Sequence, residues 1–202
     1  EPDGDDIKYS QNDDKTILSV YYDYYYKEND RVTAANAVSI YGDSVKDTDI
    51  VIGENTFEAP AEDMSEYLGS YVNYIYSGEL NVDDNAVIWL EKSKRNEEVV
   101  VFGKQNIEGF DSASYRFSYY DENEKLRSVR IEKNATVIYN GGFADNIEDA
   151  FNMPYTSVRM VADKAGDYDL CVLSNYENHV VEYINFEEEY IRGIGEAENI
   201  ST

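Results

Sequence analysis

Three aspartates around one glycine are the place in this sequence where residue types and spacing come nearest to chemistry. The stretch "ADKAGDYDLCVL" (162–173) sets Asp163, Asp167 and Asp169 about Gly166, immediately before an apolar run that reads as a strand. An EF-hand-like calcium loop needs oxygen ligands at alternating positions 1, 3 and 5, then a bidentate carboxylate further on. Counted from Asp163, position 3 is Ala165, which has no side-chain oxygen, and position 5 is Asp167. The sequence therefore favours a hairpin connection, with Gly166 at the positive-φ position and Asp167 capping the turn. Asp163, Asp167 and Asp169 are the metal-ligating candidates, and no bound metal is favoured.

Other chemistries find less. His179 is the sole histidine, in "ENHVVEYI", with no patterned Ser, Cys or Asp partner for a triad or a zinc site. With 42 Asp and Glu, a pair suited to glycoside hydrolysis exists at any chosen spacing, so the pairing carries no information. The sequence "GxGxxG", a P-loop and "GxSxG" are all absent. The expectation is a protein that is not an enzyme and needs no cofactor. The 20 tyrosines offer a different possibility, since aromatic faces can stack on a polysaccharide or a partner protein. Tyr24, Tyr26, Trp89 and Tyr119 are the ligand-binding candidates, set against the plainer role of tyrosine on both faces of a strand.

Composition restricts the partners. A net charge of −25 and a pI near 4.1 repel nucleic acid and anionic lipid, which are recognised by clustered Lys and Arg. Such acidity reads first as solubility through self-repulsion, and it also suits an extracellular setting rich in divalent cations. The lone Cys171 excludes an internal disulfide and, within "DLCVL", reads as a small buried hydrophobe. No window reaches the 18 apolar residues of a membrane helix, so no membrane insertion is expected. The start "EPDGDD" lacks the features of a signal peptide, so an exported chain would have lost its signal or been cut from a larger protein.

The elements that must position these residues read as strands. Short runs rich in Val, Ile and Tyr recur from Thr16 onward, among them "ILSVYYDYYY", "DIVIG", "YVNYIYSG", "EEVVVFG", "ATVIYNG" and "DLCVL", separated by Gly, Asn and Asp clusters. Two segments break the pattern. "APAEDMSEYLG" reads as two helical turns, from Pro60 to a stop at Gly69, and "DNIEDAFNMP" as a short helix with Asp145 or Asn146 as cap and Pro154 beyond its end.

Laid over one another, residues 50–76 and 136–162 match at a constant offset of 86, so Ile52 meets Ile138, Phe57 meets Phe143 and Val72 meets Val158. The expected fold is all-β: two tandem small barrel-like units of the OB or SH3-like kind, each with one short helix, related by internal duplication. Closure would hide strand edges. The expected boundaries are a disordered acidic linker at 1–14, a first unit at 15–104, a second at 105–191 and an acidic tail at 192–202. One continuous sandwich stays open as the alternative.

The run "YYDYYY", then "RVTAANAVSIYGDS", "IGENTFEA", "EYLGSYVNYIYSG" and later "KNATVIYNGG" resembles the extracellular region of clostridial cell-surface proteins with S-layer homology modules. The similarity spans roughly Ser19 to Ile184. It implies export from a Gram-positive cell and placement at the cell wall or S-layer surface, with other surface proteins or wall polysaccharide as partners and no nucleic acid. S-layer homology repeats are not seen here, so the resemblance implies a structural or display segment; the alternative is a carbohydrate- or protein-binding module using its tyrosines. The family supplies no catalytic constellation, and its Asp-rich loop falls at "DKAGDYD".

Overall fold

Residues Tyr71–Ser77 illustrate how these strands form: Val72, Tyr74 and Tyr76 are buried, while Asn73, Ile75 and Ser77 on the opposite face are half-exposed. A computed structural model describes residues 8–10, 18–20, 24–61, 63–77, 85–164, 166–176, 181–185, 190–193 and 200–201. Within them the chain is mostly β, as expected.

Strands β1 (Lys8–Ser10) and β2 (Leu18–Val20) form a two-stranded sheet. The first large sheet holds β3 (Tyr24–Ala35), β4 (Val38–Ser39), β5 (Asp49–Ile52), β6 (Asn55–Glu58), β7 (Tyr71–Ser77) and β8 (Ala86–Lys92). The second holds β9 (Glu97–Phe102), β10 (Ile107–Asp111), β11 (Arg116–Tyr120), β12 (Leu126–Tyr139), β13 (Gly142–Ala144), β14 (Ser157–Lys164) and β15 (Asp167–Ser174), with helix α1 (Ile147–Asn152) between β13 and β14. Strands β16 (Val181–Asn185), β17 (Tyr190–Gly193) and β18 (Ile200–Ser201) form a third sheet. Lys8–Ser10 and Ile200–Ser201 thus pair as strands inside the stretches expected to be linker and tail. Ladder bonds use backbone groups, which acidic side chains do not remove.

In the first sheet the pairings run in a cycle. β3 pairs with β5, β5 with β6, β6 with β8 in parallel through Glu58 and Ala86, β8 with β7, and β7 returns to β3. Val32, Ile50, Ile52, Phe57, Val72, Tyr74 and Tyr76 fill its interior. Phe57 lies 5.7 Å from Tyr74 and 5.2 Å from Tyr76 between ring centres, so aromatic rings carry much of that core.

The second sheet runs β10-β11-β12-β15-β14-β9, with β13 paired to β12. One face packs Val101, Phe117, Ile131, Val137, Met160, Cys171 and Leu173 against α1, whose Ala150 and Phe151 are buried. The Asn146 side chain accepts hydrogen bonds from the N–H groups of Glu148 and Asp149, which makes Asn146, of the two residues the sequence offered, the cap.

The order hairpin, helical turn, hairpin occurs twice, but the pairing differs. In the first half the parallel partner of β8 is β6; in the second, β15 pairs in parallel with β12. Phe57 is 1% exposed and Phe143 49%, although Val72 and Val158 are both fully buried. β9, expected to close the first unit before residue 104, pairs with β14 in the second sheet. Hydrophobic alternation writes a strand's faces but not which neighbour supplies its ladder.

The first helical segment is also shorter than expected. Around a single 3-10 turn at Ser65–Tyr67, the Met64 N–H bonds to Asn36 Oδ1, the Ser65 N–H to Asp63 Oδ1, and the Gly69 N–H to the Val32 carbonyl. Donors spent on side chains and on β3 leave no i to i−4 ladder to propagate.

Candidate functional site

The place where the two halves meet brings together several charged side chains that are largely shielded from solvent. Its apolar part is Ile40 and Leu68 from the first half against Ile138, Val161 and Leu170 from the second. Gly69 makes the close approach possible. Its φ is +79°, and a Cβ there would stand 2.2 Å from Leu170 Cδ2.

Two irregularities in the β14–β15 hairpin direct the acids across this seam. Val161 opposes Leu170 while Ala162 opposes Tyr168, which leaves Asp169 as an extra residue; Lys164 then opposes Asp167, which leaves Asp163 as another. Bulges re-aim side chains in this way. Asp169 receives two hydrogen bonds from Arg31, from Nη1 at 2.6 Å and Nη2 at 2.8 Å, while Arg31 Nε donates to the Gly69 carbonyl at 2.8 Å. Burial works against the guanidinium's charge, yet the bonded Asp169 carboxylate holds its pKa above the usual value. Tyr71, paired with Arg31 across β3 and β7, donates its hydroxyl to Asp163 at 2.6 Å. Arg31 and Arg95 both lie over the Tyr71 ring, 5.9 and 3.9 Å from its centre. Burial, then the Asp163 hydrogen bond, raise the phenol's pKa.

A second joint lies beside it. Arg159 is bonded to Glu98 and donates to the Leu68 carbonyl at 2.7 Å and to Ser70 Oγ at 2.9 Å. Lys92 reaches the same Glu98 at 3.0 Å. Burial raises the pKa of Glu98, but Arg159 and Lys92 outweigh it and hold the carboxyl below the usual range.

Gly166 has φ +80° in the β14–β15 hairpin, as the hairpin reading requires, but its N–H is taken by Glu97 Oε2 at 3.0 Å, and Asp167 faces Arg130 at 3.9 Å. The three aspartates point to three different partners. No cluster of three or more His, Cys, Asp or Glu placed to hold a metal occurs among the described residues. Tyr24 pairs with Ser77; Tyr26 and Trp89 flank Ile75 across β3, β7 and β8, and are 42% and 41% exposed. Tyr26 donates to Glu28 Oε1 at 2.9 Å, and burial together with that bond pushes its pKa up to about 12. Tyr119 lies on the other sheet, half-buried and stacked on Phe117 at 6.3 Å. The four candidates do not form one row. His179 lies outside the described residues.

Arg31, Tyr71, Glu98 and Arg159 were not singled out from the sequence. A signal existed for one: Arg159 stands between the apolar neighbours Val158 and Met160. Cys171 is fully buried, and burial raises its thiol pKa, in keeping with a packing role. No helix among the described residues is long and apolar enough to cross a membrane. No family model, characterised protein or solved structure matches the chain.

Proposed function

We propose that the chain is a non-catalytic structural and interaction segment of an extracellular cell-surface protein, of the kind its sequence resembles among Gram-positive proteins with S-layer homology modules. The observation that supports this is the seam: Arg31, Asp169, Tyr71, Asp163, Arg159 and Glu98 are bonded to one another or to backbone carbonyls across the two halves. Groups whose donors and lone pairs are spent on structure are poor candidates to bind or transform a substrate. A joined pair of β halves with an acidic surface suits display on a cell wall, with other surface proteins or wall polysaccharide as neighbours, and its charge gathers divalent cations loosely.

The first half is read as an OB-type barrel. In support, its five-strand cycle has its parallel pair between the third and fifth strands, β6 and β8, and its helical turn between the third and fourth, β6 and β7. The second half is read as a diverged copy whose long β12 took the parallel partner and left the sheet open.

One observation favours the alternative, a carbohydrate-binding module: Tyr26 and Trp89 share an exposed row with Ile75, beside Asn73 and Glu91. A glycan array probed with the full chain, together with a hydrolase screen, separates the readings. The structural reading predicts neither turnover nor saturable glycan binding. Saturable binding lost in Trp89→Ala would replace it with the carbohydrate reading.

A further inference from the structure

β9 ends the second sheet, and among the described residues no strand pairs with its outer edge. The Gly103 N–H bonds to the Thr156 carbonyl, which sets the phase of the ladder: Val99 and Val101 exchange bonds with β14, and the backbone groups of Glu98, Val100 and Phe102 face away from it. The Phe102 carbonyl takes the Asn106 side-chain amide at 2.8 Å, which among the described residues leaves the N–H and C=O of Glu98 and Val100 and the N–H of Phe102.

The side chains divide in the same way. Val99 and Val101 pack on the core, whereas Val100 and Phe102 are 60% and 68% exposed, with Phe102 stacked on Tyr176 at 5.8 Å. They border an open groove of about 490 Å³ between the halves, with Val38 and Leu68 on one side and Ile138 and Val172 on the other. Natural edges are commonly blunted by charged side chains, by proline or by a bulge. In β9 the charges stop at Glu97 and Glu98, the latter already paired with Arg159 and Lys92; Val99 to Phe102 carry neither charge nor proline, and the pairing with β14 shows no register shift.

We propose that the β9 edge and this groove form a strand-addition site for an extended, net-basic segment of a partner protein, with apolar side chains at alternate positions seated beside Val100 and Phe102. Charge selects this occupant. Glu66 and Arg159 line the groove, but the charge of Arg159 is already answered by Glu98, so the acids left over are Glu66 and Glu97 at the start of the strand; with −25 on the chain, a second copy would bring two acidic surfaces together while a basic strand is drawn in. The proposal rests on the interaction reading above and gives it a surface.

The test uses the full chain and three fluorescent synthetic peptides: one alternating lysine with valine or phenylalanine, one with glutamate in place of lysine, and the lysine peptide carrying N-methyl groups on alternate amides. The site predicts saturable binding of the first, little of the other two, and a loss of about tenfold or more in Val100→Pro, which removes an N–H that β14 does not use. Should Val100→Pro fail to fold, Val100→Lys gives the same readout with the backbone intact. Equal binding of the N-methylated peptide would reduce the effect to surface charge and overturn the site, as would absence of saturable binding. Sedimentation showing a concentration-dependent dimer abolished by either Val100 substitution would make a second copy the occupant and overturn the partner assignment. None of these outcomes concerns turnover or glycan binding, so failure here is distinguishable from failure of the non-catalytic reading.

Discussion

Arg31 and Asp169 are 138 residues apart in the chain, yet they meet in a two-point ion pair of 2.6 and 2.8 Å that ties β3 to β15. Both side chains are largely shielded from solvent, at 13% and 22% exposure. Removing one partner of a shielded pair leaves the other charge uncompensated, which costs more than the pair itself contributes. Asp169→Ala is expected to destabilise the protein by about 3 kcal/mol in urea unfolding, and Arg31→Met with Asp169→Leu by less than the sum of the single changes. Additive effects would show that the two residues are not coupled.

Glu98 sets the response to acid. Its folded-state pKa is depressed below the unfolded value, so the stability it contributes is present above the unfolded carboxylate pKa, near pH 4.5, and is lost as the pH falls through the folded pKa. The wild type should therefore lose stability progressively below about pH 5, and Glu98→Gln should be less stable at neutral pH but show a shallower acid decline. Parallel stability profiles for the two proteins from pH 3 to pH 7 would remove Glu98 from this role.

Gly69 tests the closeness of the seam. A methyl group there meets both the positive φ and the Leu170 side chain, so Gly69→Ala is expected to cost about 2 kcal/mol or more by denaturant unfolding. Gly69→Ala combined with Leu170→Ala is expected to cost less than the sum of the two single changes, because the added methyl group no longer meets the Leu170 side chain and fills part of the space it leaves. A neutral Gly69→Ala would mean that the halves do not pack as described.

The strands and faces were legible in the sequence because a strand buries every second side chain, as in Val72, Tyr74 and Tyr76. The α1 cap at Asn146 was legible because capping is a local bond. Pairing was not. Nothing in "EEVVVF" says that β9 will join β14 rather than the strands before it, since ladder bonds are made by backbone groups that are alike at every residue. The aspartates of "ADKAGDYD" stand out in the sequence as carboxylates, but the partners of Asp163 and Asp169 are Tyr71 and Arg31, far away in the chain. An Arg31 in the middle of "KENDRVTAA" reads locally as a surface charge, and only the folded chain reveals its shielding.

The bonds across the seam predict that the two β halves unfold as one cooperative unit, and the chain carries one probe in each. Trp89, the sole tryptophan, reports on β8 in the first half, and Cys171, the sole cysteine and fully buried, reports on β15 in the second. Urea unfolding followed by Trp89 fluorescence and by labelling of the Cys171 thiol should give coincident midpoints in the wild type. Asp169→Ala should shift both to lower urea and begin to separate them. Separate midpoints in the wild-type protein would contradict the account, because the halves would then be independent domains and the seam only a contact between them.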